Sequence, residues 1–287
     1  MAAGVSPESM GQSKIRLDSW HLSPDWIAQY LAAVGDCSPA YAQTGLAPPL
    51  ALAARTLGML LQKLSLPQGP IHSLQELDTL RPIKQGVTVA GDADLEQPRR
   101  RGNLEFRRIV YKLADQGGQS LASGKTTVLR VHGGPVEAAG SESSGNSVTQ
   151  APAASGLPVV ARTVSQSQLD AYSRVSGDYN PLHWDPAFAA TTQFDGIIAH
   201  GMLTLAFISE MMLQAFGRPW LEQGAMSVRF KGAARVNSPV ETWGSVVKES
   251  ALAGGRQVTC SVGLRHSVTG QELIGGTAKV MLAEARQ

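Results

Sequence analysis

The residues best suited to chemistry lie in one stretch, SGDYNPLHWDPAFA at Ser176–Ala189. Asp178 and His183 are five positions apart, a spacing at which neither a helix nor a strand would bring the two side chains together. The Asn180–Pro181 pair between them favours a turn, because proline fixes φ and asparagine hydrogen-bonds its own backbone. A carboxylate and an imidazole that meet across such a turn can hold one water molecule. The histidine, with an ordinary pKa near ~6.5, is suited to take a proton from that water.

A second candidate group is the His200–Gly201 pair, at the start of an apolar helix. The first N–H groups of a helix have no partner within the helix, and the helix dipole adds positive potential there. Gly201 has no side chain, so a ligand oxygen can approach its amide closely. Such an amide would stabilise an enolate oxygen developing on a thioester carbonyl, an effect worth roughly 3–4 kcal/mol in known cases. His200 either contributes a side-chain contact or only shapes the start of the helix.

The elements that must position these groups occur twice in the chain. Each half has a short amphipathic helix, a Gly-Asp turn, a longer apolar helix and then segments of period-two alternation. One long helix followed by antiparallel strands predicts an α+β arrangement in which a curved sheet covers the helix. Two such copies would pair as an internal pseudo-dimer. The four helices are predicted at Asp25–Val34, Leu46–Gln62, Ser167–Val175 and Ile198–Gln214, and spacings of three and four predict one buried stripe along the last.

Composition divides the chain between the two copies. Residues 133–156 are rich in Gly, Ser and Ala and lack aromatic residues, which predicts a flexible linker between a first repeat at 1–132 and a second at 157–287. In the first repeat Tyr41 stands at the position of His183, and Pro49, which has no N–H, at that of Gly201. We therefore expect one active site per chain, with the first repeat kept for packing and substrate binding.

Composition also excludes several classes of partner and site. The chain has 25 basic and 23 acidic residues, so neither nucleic acid nor an anionic membrane is expected as a partner. The N-terminus lacks an apolar signal segment and the apolar runs are interrupted, which predicts a cytoplasmic protein without a membrane span. Two cysteines cannot form a disulfide framework or a structural zinc site. His183, Asp185 and His200 are possible metal ligands, but no metal-site spacing supports them, so no metal is expected.

The strings SGDYNPLH, WDPAFA and AHGM together resemble the signature of the MaoC-like, R-specific enoyl-CoA hydratases, which adopt the hot dog fold. The resemblance is dense over residues 168–214, whereas the first half resembles the same fold only by its order of elements. The layout is similar to that of the double hot dog hydratases. The resemblance implies a double hot dog fold and reversible syn hydration of a trans-2-enoyl thioester to an (R)-3-hydroxyacyl thioester. It implies no cofactor, and a substrate carried by coenzyme A or by an acyl carrier protein.

Carried over by position, the resemblance also assigns residues. Asp178 and His183 would activate the water and handle the α-proton, and Gly201 would supply the amide that binds the oxyanion. Asn180 would orient the turn. Ser209 would hydrogen-bond within the site, in keeping with its place on the predicted buried stripe.

Alternatives remain at this point. A hot dog thioesterase would place a carboxylate on the central helix, where Glu210 is the candidate, and would leave the turn at residues 178–183 without a purpose. A non-catalytic subunit that binds acyl thioesters is a third reading. Lys231 either meets the phosphates of coenzyme A at a pocket mouth or belongs to a surface strand of alternating charge. Either one chain forms the whole pseudo-dimer, or two chains associate as a homodimer.

Overall fold

The computed structural model describes residues 13–64, 69–132 and 156–284. The elements of the first half are β1 (Ser13–His21), α1 (Pro24–Val34), α2 (Ala40–Thr44), α3 (Pro49–Lys63), β2 (Ile71–Thr79), β3 (Thr88–Leu95), β4 (Arg99–Arg101), β5 (Leu104–Asp115) and β6 (Ser120–Val131). Those of the second half are β7 (Ala161–Thr163), α4 (Gln166–Ser176), α5 (Pro186–Ala190), α6 (Gly201–Phe216), α7 (Arg218–Gln223), β8 (Ala225–Phe230), β9 (Pro239–Leu252), β10 (Gly255–His266) and β11 (Glu272–Ala283). A 3-10 turn at Pro181–His183 separates α4 from α5.

One antiparallel sheet of eleven strands runs through both halves of the described chain, in the order β1-β3-β5-β6-β2-β8-β11-β10-β9-β7, with β4 on β5. The halves join where β2 pairs with β8, for example Leu77 with Met226. In each half a long helix packs against the strands that follow it, so the predicted α+β arrangement is confirmed. The predicted linker at 133–156 lies outside the described residues except for Gly156. The division into repeats at 1–132 and 157–287 therefore stays a prediction.

The short helices α1 and α4 have matching ends that place the two Gly-Asp turns. A serine hydroxyl caps each start, Ser23 for α1 and Ser165 for α4. Each helix ends at a left-handed glycine, Gly35 with φ of 73° and Gly177 with φ of 78°, a conformation that glycine adopts without steric cost. The chain therefore turns sharply just before the aspartate in each half.

The long helices start later than the sequence predicts. Leu46 and Ile198 are extended and form bridges with Lys84 and Arg235, so α3 begins at Pro49 and α6 at Gly201. The prediction of a single buried stripe on α6 is wrong, because every residue over 202–213 is buried. Strands of the sheet cover one side of α6, and helices α1 and α3 of the first half cover the other.

Candidate active site

The turn after α4 is built from hydrogen bonds between close neighbours. The Asp178 carboxylate accepts a hydrogen bond from the Asn180 N–H at 3.2 Å. The Asn180 side-chain oxygen accepts one from the Leu182 N–H at 3.2 Å, which opens the 3-10 turn that ends at His183. The bonds of Asn180 thus close the turn that brings Asp178 and His183 to the same side, and its role in the site stays a prediction.

Three buried side chains meet at this turn. One ligating atom from each of Asp178, His183 and His200 lies within 4.8 Å of the other two. The ring centroids of His183 and His200 lie 3.7 Å apart, with the ring planes tilted by 30°. The structure thus brings together the predicted pair and adds His200 to it.

The hydrogen bonds of His183 fix where it can accept a proton. Its Nδ1 lies 2.8 Å from the Ile198 carbonyl oxygen and therefore carries the hydrogen and donates, so Nε2 is left as the acceptor. Burial lowers the pKa of His183, while the charge of Asp178 opposes that shift. The ring is neutral at pH 7 and can take up a proton at Nε2.

His200 holds the backbone of the turn. Its Nε2 lies 3.2 Å from the Asp178 carbonyl oxygen and 3.2 Å from the Ser173 hydroxyl. Because a carbonyl oxygen can only accept, Nε2 of His200 donates to the backbone of Asp178. Burial is the main cause that holds the pKa of His200 well below its ordinary value, and the charge of a protonated His183 would lower it further. His200 is therefore a neutral positioning group that packs against the His183 ring.

Asp178, His183 and His200 lie close enough together to hold a metal ion by residue type and spacing. Nδ1 of His183 and Nε2 of His200 both donate to backbone carbonyl oxygens, so Nε2 of His183 and Nδ1 of His200 are the ring nitrogens left to face a ligand. That no metal takes part stays a prediction. Asp185, the third member of the metal set considered from the sequence, instead caps α5 by accepting from the Ala187 and Phe188 N–H groups.

Gly201 is the first residue of α6 and lines the same cavity as the cluster. Its N–H has no hydrogen-bond acceptor among the described residues. A β-carbon at this position would lie 2.9 Å from Cε1 of Phe230. A side chain would therefore push the ring away, and glycine keeps both the close ring contact and an accessible amide.

The cavity in front of Gly201 lies between the two halves and has a volume of about 200 Å³. Its mouth is formed by exposed residues, among them Gln193 and Lys231, and its inner wall by apolar residues such as Leu57 and Val128 of the first half. Lys231 forms an ion pair with Glu272 at this mouth. The structure thus places Lys231 beside the cavity, with its charge already partnered.

The first half also holds the turn itself, which the sequence did not predict. The Gln62 amide on α3 donates to the Gly177 carbonyl oxygen at 2.7 Å, and the Asn180 amide donates to the Pro70 carbonyl oxygen at 3.0 Å. Gly58 lies so close to α4 that a β-carbon would be 2.1 Å from the Ser176 carbonyl oxygen. A glycine inside an apolar helix, which usually costs about 1 kcal/mol, was the available signal for such an approach.

Two residues considered from the sequence lie away from the cavity. The Ser209 hydroxyl accepts a hydrogen bond from the Trp220 indole N–H at 3.0 Å, so the expected bond within the site is wrong. It fails because α6 is buried on all sides, and its Ser209 side faces α7. The Glu210 carboxylate contacts Arg162 through both oxygens at 2.8 Å and is not among the described residues that line the cavity. The thioesterase alternative thus lacks a free carboxylate there.

The corresponding place in the first half is closed. The Tyr41 hydroxyl donates to Asp36 at 2.8 Å, so no imidazole is available there. What remains of a cavity has a volume of about 10 Å³ and is lined by Pro49, Ser209 and Trp220, among others. This arrangement supports the prediction of one active site per chain.

Comparison with known proteins points to one family. Residues 147–267 match a family model described as "MaoC like domain". An (R)-specific enoyl-CoA hydratase of Rhodospirillum rubrum is 32% identical over 126 residues, 43% of this chain and 83% of that protein. A peroxisomal enoyl-CoA hydratase 2 of Arabidopsis thaliana is 30% identical over 173 residues, which are 55% of this chain and 56% of that protein.

Solved structures show the same fold. A MaoC-like dehydratase superposes with a TM-score of 0.77 at 18% identity, covering 94% of this chain and 98% of the other. A Mycobacterium tuberculosis protein described as having a double hotdog fold gives a TM-score of 0.66 at 11% identity, covering 96% and 97%. The fold is therefore the expected double hot dog. None of the helices in the described ranges is long and apolar enough to cross a bilayer.

Proposed function

Because this chain belongs to the MaoC-like family of hydratases and dehydratases, we propose that it catalyses the reversible syn hydration of a trans-2-enoyl thioester to an (R)-3-hydroxyacyl thioester. One observation carries the proposal: Asp178 and His183 converge within 4.8 Å in a cavity that also contains the free amide of Gly201. Hydration needs a base for water and a donor for the thioester oxygen, and these three residues supply both.

The proposed reaction begins with a water molecule held between Asp178 and His183. Nε2 of His183 removes a proton as the water oxygen bonds to C3 of the substrate. The electron pair of the C2–C3 double bond then moves through C2 and C1 to the thioester oxygen. Gly201 N–H stabilises the enolate that results, and it does so best if it points at the place where this charge develops.

The second half of the reaction returns the proton. The electron pair comes back from the enolate oxygen and forms a C–H bond at C2 with the proton that His183 removed, relayed by way of Asp178. Since both side chains flank the same water molecule, hydroxyl and proton add to the same face. The thioester itself acidifies C2, so no cofactor takes part in the proposal.

Carrier, assembly and location form the finer part of the proposal. We assign coenzyme A as the carrier, supported by the names of the hydratase relatives. The sheet that is continuous through β2 and β8 supports an internal pseudo-dimer within one chain, and a homodimer of chains stays a prediction. A cytoplasmic location of the protein also stays a prediction. Cell fractionation, which separates cytoplasm from peroxisomes, tests it against the peroxisomal alternative.

The test of the function is hydration of crotonyl-CoA, followed by loss of the enoyl absorbance. Asp178→Asn and His183→Ala should each lower kcat by about 10²–10⁴-fold, the usual contribution of acid–base catalysis. Asp92→Asn is the matched control, because Asp92 is an exposed residue of β3 that pairs with Lys14 and does not line the cavity. A wild-type rate in the Asp178 or His183 variant would refute the assignment.

The same preparation separates the two alternatives. A thioesterase would release free coenzyme A, which a thiol reagent detects, and Glu210→Gln would stop that release. A binding subunit would hold an enoyl-CoA tightly with no change in absorbance. We expect hydration without thiol release, and hydration that persists in Glu210→Gln, since that carboxylate is engaged by Arg162.

A further inference from the structure

A cluster of cations lies at the end of the sheet in the first half. The Glu105 carboxylate of β5 is buried and accepts hydrogen bonds from Arg107 at 2.8 Å and from Arg100 at 3.3 Å. Nε2 of His132 lies 3.0 Å from the same carboxylate. The hydrogen bond from Arg107 is the largest cause that lowers the pKa of Glu105 to about 2. Glu105 is therefore ionised at neutral pH and holds both guanidinium groups in place.

The cluster carries more positive charge than its carboxylate neutralises. Arg107 contacts Glu105 through Nε alone, and its two Nη groups have no hydrogen-bond acceptor among the described residues. Arg130 lies directly opposite Glu105 on β6, is exposed, and has no ion-pair partner in the described part of the chain. Residues 99–107 and 130 contain five arginines and one glutamate, a formal charge of +4, whereas the whole chain carries +2. Such a local excess attracts an anion.

The cluster continues one wall of the cavity. At one end of this wall the Phe230 ring covers Gly201 and packs on His72, with the ring centroids 4.5 Å apart. His72 lies directly opposite Val128, and Val128 lies directly opposite Arg107. Directly opposite residues on neighbouring strands share a face and have Cβ atoms about 5 Å apart. The Arg107 side chain therefore begins beside Val128, which lines the cavity.

An acyl chain with its carbonyl at Gly201 can follow this wall as far as the cluster. Strands β8, β2, β6 and β5 are consecutive in the sheet, and at about 4.8 Å per strand the wall is about 14 Å long. An extended chain covers about 1.2 Å per bond, since three backbone bonds span about 3.6 Å, so about twelve bonds cover the wall. The cavity residues at this end, Leu61, Ile71 and Leu129, are only half-buried and do not close it.

We propose that Arg107 and Arg130 form a subsite for a carboxylate at the far end of the acyl chain, so that the preferred substrates are long dicarboxylic enoyl thioesters. The inference rests on the proposed hydratase function and adds the class of acyl group. The free Nη edge of a guanidinium matches the two oxygens of a carboxylate, whereas a methyl group gains nothing from the charge. The cluster lies three strands away from the mouth at Lys231, so we assign it to the acyl end and not to the phosphates of coenzyme A.

The experiment compares pairs of trans-2-enoyl-CoA substrates of equal carbon number, one ending in a carboxylate and the other in a methyl, from hexenoyl to hexadecenoyl. For chains of about twelve carbons or more, kcat/KM of the wild type should favour the carboxylated partner by about tenfold at low salt, the effect of one hydrogen bond between charged groups. Added salt should reduce this ratio, because it screens the charges. Arg107→Gln should abolish the ratio, Arg107→Lys should retain part of it, and Arg130→Gln should lower it.

Arg108→Gln is the matched control, because Arg108 is the next residue of the same strand, faces the other side of the sheet and pairs with Glu96. It removes the same charge and should keep the ratio. In the hexenoyl pair the carboxylate is too far from the cluster, so no arginine variant should change the ratio for that pair. Thermal melts establish that each variant is folded before its ratio is taken. Arg130 is exposed, so its variant stays informative where an Arg107 variant does not fold.

Three outcomes overturn the subsite while leaving the hydratase function intact. The first is a wild type that favours the methyl partner, or neither partner, at every chain length. The second is a ratio unchanged by Arg107→Gln, whether both partners keep their kcat/KM or lose it equally. The third is the same change of the ratio in Arg108→Gln as in Arg107→Gln. Absence of hydration for every substrate overturns the proposed function and the subsite with it.

Discussion

Gly58→Ala should damage the catalytic turn from the opposite half of the chain. The new β-carbon would lie 2.1 Å from the Ser176 carbonyl oxygen, whereas ordinary contacts begin at 3.4 Å. The carbonyl must therefore retreat by about 1.3 Å, the difference between these distances, and Asp178 follows two residues later. A displacement near 1 Å costs about 100-fold in rate, or about 2.7 kcal/mol of transition-state stabilisation.

The assay is crotonyl-CoA hydration at a temperature where melts show the variant to be folded. Overpacking by itself destabilises proteins by about 1–3 kcal/mol, so a matched variant is needed. Gly255→Ala supplies it, because its β-carbon would also lie 2.1 Å from a backbone oxygen, that of Leu282, at the far end of β10 and β11. Both variants should melt earlier, but only Gly58→Ala should lose activity. A Gly58→Ala protein that melts early and keeps the wild-type kcat would refute the coupling.

Two further outcomes test the site. Gly201→Pro and Gly201→Ala both place a side chain against Phe230, but only proline removes the N–H, and proline is tolerated at the start of a helix. The kcat of the proline variant should therefore be about 10²–10³-fold lower than that of the alanine variant. Equal kcat values for the two variants would contradict the role of the amide. Burial lowers the pKa of His72, His183 and His200, so below pH ~6.5 the unfolded chain binds protons that the folded chain does not. The free energy of unfolding, measured in urea, should therefore fall between about pH 7 and 5, with on the order of 2 kcal/mol lost through His72 alone, and a rise would contradict this assignment.

The parts of the molecule that follow from local sequence could be predicted. The turn that brings Asp178 to His183 is closed by bonds between residues two positions apart, so its chemistry is contained in the string itself. The same holds for the helix ends at Gly35 and Gly177. The general order of helix and strands follows from periodicity, which depends only on near neighbours.

The contacts between the halves could not be predicted in this way. Gln62 and Gly177 are 115 positions apart, and their meeting depends on how two helices pack once both repeats are folded. Ser209 shows the same difficulty, because periodicity predicted that it is buried but not that Trp220 would be its partner. His72 belongs to no motif, and its place in the cavity wall follows from the pairing of β2 with β6 and β8.

The closed counterpart in the first half has a consequence for saturation kinetics. Pro49 and Trp220 line the cavity of about 10 Å³ in the first half, which is too small for an acyl chain, so the proposed reaction has one centre in the described part of the sheet. In an assembly with two open centres, filling one can alter the affinity of the other. Here the first half offers no second site whose occupancy could change the affinity of the first. The plot of rate against substrate concentration should therefore be a simple hyperbola, without cooperativity between the halves.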